Sequence, residues 1–239
     1  MACFLGRPRR IRRGCQRGAN AALSSSFFRS VELGNVDVVF LEEHDFVGRF
    51  GSYRKAAAIS KMPGGGKIGK DGLIIVKSDP DGRSGAEMLS HLYIHKMLPK
   101  APLWFHEGFS AYVGRFEFQE GGGKSRACFG YPSGDTTSFV PLSEVTSISW
   151  DQYAEGPKSS YRHTARTLVD YLVHGDGGKN FANMEPLFEG MNAGKSSEEL
   201  LGLAFGGVPV AQLNTKVIEH GGDVAHQAKT NSCLLYTSD

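Results

Sequence analysis

Glu87-Met88-Leu89-Ser90-His91-Leu92-Tyr93-Ile94-His95, followed by Pro102-Leu103-Trp104-Phe105-His106-Glu107-Gly108-Phe109-Ser110-Ala111-Tyr112, decides how this chain is read. The apolar spacing predicts two consecutive helices. The first covers about 85–98 and stops near Pro99. The second starts near Pro102, where proline suits a first turn, and carries an aromatic face of Trp104, Phe105, Phe109 and Tyr112. Glu87, His91 and His95 recur every four residues and so share one face of the first helix. Glu107 falls in the first turns of the second helix. Side chains at i and i+4 with a carboxylate from the next helix form a donor set for a tetrahedral metal site with one open position.

This arrangement resembles the peptidase MA-like (gluzincin) zinc metallopeptidases, which carry His-Glu-x-x-His on one helix and a Glu ligand on a following Trp-x-x-Glu-Gly-x-x-x-Tyr helix. The second element stands here as Trp104-Phe105-His106-Glu107-Gly108-Phe109-Ser110-Ala111-Tyr112. The first is altered. With His91 as the second histidine of the motif, Glu87 replaces the first histidine and Met88 replaces the catalytic Glu. Moving the frame back one residue makes Glu87 the catalytic Glu, but Ala86 and Ser90 then replace both histidines. The first frame is preferred because it keeps one ligand. The resemblance implies Glu87, His91 and Glu107 as metal ligands, zinc as the metal, and Glu87 and Tyr161 as catalytic candidates. Tyr161 is the candidate hydroxyl for stabilising an oxyanion.

Two neutral imidazoles and a carboxylate hold zinc in such sites, and the metal lowers the pKa of its bound water to about 7. The Glu beside the first His takes the proton from that water. Met88 has no titratable group to do this. A Glu-His-Glu set is also more anionic than His-His-Glu and leaves bound water less acidic. The expected function is therefore a zinc metallopeptidase-like domain with weak or no peptide hydrolysis, a pseudoenzyme of bacterial type. The alternative is a non-catalytic module that binds a peptide or protein in the same cleft without metal. His95 is read as a surface or packing histidine, and His106 as outward-facing.

Away from this stretch, 239 residues with 40% hydrophobic and 22% charged side chains suit a globular domain of ordinary size. The net charge of +2 is uneven: Arg7, Arg9, Arg10, Arg12, Arg13 and Arg17 account for six positive charges, so the remainder carries −4. Such a body argues against nucleic acid as a partner. Residues 1–30 are read as a basic disordered or non-native tail without the apolar stretch of a signal peptide, although related proteins are exported or lie in the cell envelope. The domain is placed at 31–222. Residues 223–239 are read as a tail, with Cys233-Leu234-Leu235-Tyr236-Thr237-Ser238-Asp239 resembling translated sequencing-adaptor DNA from a metagenomic assembly. Cys3, Cys15, Cys128 and Cys233 form no disulfide framework. No apolar run has membrane length.

The fold expected is α+β: a small N-terminal β-sheet followed by a mainly helical zincin-like domain. Val36–Phe40 and Gly72–Lys77 read as strands, and Glu42–Phe50 as a short helix between them. The Gly-rich 61–70 segment lacks the phosphate-loop order and reads as a hairpin connection, and Asp79-Pro80-Asp81-Gly82 as a turn. A hairpin or long loop is expected over 114–139. Helical spacing leads from Tyr161 to His174, and three further helices are expected at Phe181–Met191, Ser196–Phe205 and Val208–His220. Ser196 and Glu199 have the spacing of a capping box.

Overall fold

A computed structural model of the chain describes residues 35–41, 58–61, 71–77, 83–114, 116–121, 124–129, 139–155 and 158–227, with side chains for most of 87–114 and 139–222. The expected tail 1–30, the helix at Glu42–Phe50 and the turn at 79–82 lie outside the described residues. The chain divides into two compact units. Of the described residues, the first holds those up to Leu89 and those of 116–128, and the second holds those of 90–115 and of 129–233.

In the first unit, β1 (Asn35–Leu41), β2 (Ala58–Lys61) and β3 (Asp71–Lys77) form a backbone ladder in the order β1-β3-β2. The β1–β3 pairing is parallel, with Val38 opposite Ile74, and the β2–β3 pairing is antiparallel. β4 (Phe116–Gly121) and β5 (Lys124–Phe129) form a two-stranded ladder.

The expected α+β fold class is corrected by the rest of the chain. Among the residues described with their side chains, from Glu87 to Gly222, every element is helical and no strand contributes. The elements are α1 (Arg83–Met97), α2 (Leu103–Val113), α3 (Leu142–Val145), α4 (Trp150–Glu155), α5 (Lys158–Gly178), a 3-10 turn (Lys179–Asn183), α6 (Met184–Ala193), α7 (Ser197–Phe205) and α8 (Val210–Gln227). The physical reason lies in α2. It was expected to present one aromatic face, yet every residue from Leu103 to Val113 is buried except Glu107. A helix that is apolar all round needs cover on all sides. Helices give that cover while satisfying their own backbone hydrogen bonds, which a sheet can do only along a further ladder.

The core of the second unit is built on this helix. Phe105 packs edge-on against Trp104 at 5.6 Å and against Phe188 of α6 at 5.9 Å, and it stacks on Phe109 at 5.4 Å. Leu168, Val169 and Leu172 of α5, Leu187 of α6, Leu200 of α7 and Val217 of α8 are fully buried. α2 and α5 approach so closely that a Cβ on Gly108 would sit against the Ala165 carbonyl oxygen, 2.7 Å from its carbon and 3.1 Å from Val169 Cγ2.

Pro102, extended at φ −69° and ψ 158°, starts α2. Regular helical geometry in α5 ends at His174, because Asp176 and Gly177 adopt positive φ of 52° and 70°. Tyr171 Oη donates to Asp176 Oδ2 at 2.7 Å, and Lys216 of α8 lies 3.6 Å from the same carboxylate oxygen. Part of the helix expected at Phe181–Met191 is thus a 3-10 turn. The capping box forms: the Glu199 amide donates to Ser196 Oγ at 3.3 Å, and the Ser196 amide donates to Glu199 Oε2 at 2.9 Å. α8 runs seven residues past the expected His220, to Gln227. No helix among the described residues is long and apolar enough to cross a membrane.

Candidate functional site

His91 and Glu107 belong to the same compact unit, whereas Glu87 belongs to the other. α1 crosses the division between Leu89 and Ser90, so Glu87 precedes His91 by one helical turn. Burial of most of its surface, reinforced by the Arg162 charge, pushes the His91 imidazole down to about 4. His91 is therefore neutral at physiological pH, the form in which imidazole ligates a metal.

His106 corrects the outward-facing expectation. It is only 9% exposed, and its ring lies 6.4 Å from His91 in a near-parallel stack of 14° and 6.4 Å from His95 at 53°. Burial, and then the charges of His91 and His95, push His106 down to about 4. Its imidazole makes no hydrogen bond among the described residues. His95 joins the group from α1, one turn after His91.

Glu107 is the one residue of α2 with an appreciable opening to solvent. Its Oε2 accepts a hydrogen bond of 2.8 Å from the Tyr153 hydroxyl on α4. Among the described residues, Oε1 has no partner. Trp150, at the start of α4, is 60% exposed and lies 6.5 Å from His106 and 6.4 Å, edge-on, from Tyr153. Sequence reasoning missed Tyr153 and the role of Trp150. No spacing in the chain links positions 150 and 153 to position 107, and only the docking of α4 brings them together.

Tyr161, the expected oxyanion hydroxyl, donates to Glu144 Oε1, and this hydrogen bond is the first cause of a raised tyrosine pKa. Its ring is 6.4 Å from Tyr153. Met88 occupies the helix position between Glu87 and Leu89 and brings no titratable group.

A second polar cluster ties α5 to α2 and α8. His174 Nε2 and Tyr112 Oη are hydrogen-bonded at 2.8 Å, and His220 Nε2 lies 2.7 Å from Asp170 Oδ2. Burial, the largest influence, pushes the His174 pKa down, against the opposing pull of Asp170.

The donors fit zinc in their chemistry: a neutral imidazole at His91 and a carboxylate at Glu107 with one oxygen available. Among the described residues, no group of three or more His, Cys, Asp or Glu side chains is placed to hold a metal ion. Compared with known proteins, the chain matches no family profile and no curated sequence.

Proposed function

We propose that this chain is a zinc metallopeptidase-like domain of gluzincin type, with an altered motif that leaves weak or no peptide hydrolysis. The observation that carries the reading is that one compact unit holds both a neutral His91 on α1 and a hydrogen-bonded Glu107 on α2. His91 and Glu107 would hold the zinc, which when bound would supply a Lewis acid and a water of lowered pKa. Tyr153 fixes the Glu107 carboxylate through Oε2 and leaves its other oxygen for a ligand. Met88 stands where a general base would take a proton and has no atom able to accept one. General-base loss typically costs about 10²–10⁴-fold in rate. The partner is a peptide or protein segment rather than nucleic acid, in keeping with a body of −4 net charge outside the arginine-rich start.

The second reading is a pseudopeptidase that binds peptide without metal, and the exposed Trp150 beside His106 favours it. One experiment separates the two. The zinc-loaded protein is incubated with a fluorogenic peptide library, with and without chelator, beside the Glu87→His/Met88→Glu double variant. The first reading expects near-background cleavage by the unmodified chain and chelator-sensitive cleavage by the double variant. Chelator-sensitive cleavage by the unmodified chain would place the base elsewhere than position 88. Peptide binding in chelator, with no stoichiometric zinc taken up by either form, would favour the second reading.

A further inference from the structure

We propose that α4 is a lid, latched by Tyr153 onto Glu107, that opens to admit a ligand to His106 and Glu107 of α2. Such a lid governs access for a metal and for a peptide alike.

The place that α4 occupies is specific. α2 is buried along its length except at Glu107, and His106 beside it is only 9% exposed. Both residues meet α4. The Trp150 ring lies 6.5 Å from that of His106, and the Tyr153 hydroxyl donates to Glu107 Oε2 at 2.8 Å. Positions 150 and 153 lie three apart on one helix, so one face of α4 bears on two consecutive residues of α2. The Tyr153 ring also lies 6.4 Å from Tyr161 of α5.

The helix is lightly held. Its described side chains are exposed or half-buried, Trp150 at 60%, so α4 adds little apolar burial to the core. Elements with few buried apolar contacts open at low cost. What keeps α4 helical is local: the Ser149 amide donates to Gln152 Oε1 at 2.9 Å, and the Gln152 amide donates to Ser149 Oγ at 3.3 Å. These bonds stay within one turn and travel with the helix. The preceding α3 is fixed instead. Leu142 and Val145 are fully buried, and the Leu142 amide donates to Asn214 Oδ1 of α8 at 3.0 Å. Thr146 and Ser147 bond back to the carbonyls of Leu142 and Ser143, each at 2.7 Å. The joint is therefore Ile148-Ser149, between a docked helix and a lightly held one. The latch itself ends on a carboxylate, and such bonds are stronger than neutral ones.

The test reads the rate at which diethyl pyrocarbonate modifies His106 in the full chain at pH 7, mapped by mass spectrometry, with His174 as an internal control. His174 belongs to the cluster joining α5 to α2 and α8, and its side chain is 17% exposed. In the parent, His106 should react well below the rate of free N-acetylhistidine amide. Tyr153→Phe keeps the ring and removes the latch, and should speed His106 about tenfold, the lower end for a hydrogen bond to a charged group, with His174 unchanged. Trp150→Ala removes the cover with the latch intact and should speed His106 at least as much. Adding Tyr153→Phe to Trp150→Ala should then gain nothing, because both act through the same closed state. An unchanged His106 rate in Tyr153→Phe overturns the lid, as does a further gain in the double variant. Equal acceleration of His106 and His174 also overturns it, by making Tyr153 a support of the whole unit. A parent His106 as reactive as the free amide shows that α4 closes nothing off.

Discussion

Replacing Gly108 by alanine tests whether the glycine after Glu107 is there for packing. A Cβ at this position would press on the carbonyl oxygen of Ala165 and lie 2.7 Å from its carbon, where ordinary contact needs about 3.5 Å or more. The obstacle is helix backbone, which cannot rotate away. α2 and α5 would have to part by about 1 Å, a gap that forfeits roughly a quarter to a half of each dispersion contact it opens. Overpacking of this kind costs about 1–3 kcal/mol, with more expected against backbone. Alanine returns about 1 kcal/mol through helix propensity. Because the obstacle is backbone, we expect the upper half of that balance, a net loss of roughly 1–2 kcal/mol, read as a fall of about 2–8 °C in Tm by far-UV circular dichroism. Gly202→Ala is the control. It lies inside α7 with nothing within 4 Å of the added Cβ, so only the propensity gain of about 0.5–1 kcal/mol remains. A Gly108→Ala protein as stable as the parent, or more so, would refute the close approach of α2 to α5.

Acid should unfold the second unit early. His91 and His106 have folded pKa values of about 4 against 6.5, so the unfolded state binds more protons between those limits, and stability is retained above pH 6.5 and lost as the pH falls towards 4. Each shift is worth up to about 3 kcal/mol, and urea midpoints at pH 7 and pH 4.5 that coincide would contradict it. His91→Ala and Glu107→Ala should each abolish stoichiometric zinc, because a three-ligand site rarely survives as two; unchanged zinc by elemental analysis in both would place the metal elsewhere. Ser196→Ala should cost about 1 kcal/mol by removing the acceptor for the Glu199 amide, and an unchanged urea midpoint would count against the capping box.

Local signals were legible in the sequence wherever they depend on neighbours a few residues apart. Pro102 starts α2, and Ser196 with Glu199 caps α7, because a proline ring and a side chain reaching an amide three residues on act within one turn. The run of apolar and aromatic residues from Leu103 to Val113 announced a helix, but periodicity could not tell one aromatic face from burial all round. That difference depends on which helices lie against it, and it overturned the α+β expectation for the body of the chain.

The candidate site divides along the same line. The spacing of Glu87, His91 and His95 on one helix, and the absence of a base at Met88, follow from the sequence alone, because helical geometry and side-chain chemistry need no tertiary contact. Tertiary structure decided that His106 turns inward among imidazoles and that Tyr153 meets Glu107. Glu107 and Tyr153 are 46 residues apart, and their meeting is set by how α4 and α2 each pack on α5. The burial that keeps His91 and His106 uncharged is likewise a property of the packed unit, since desolvation requires neighbours that only the fold supplies.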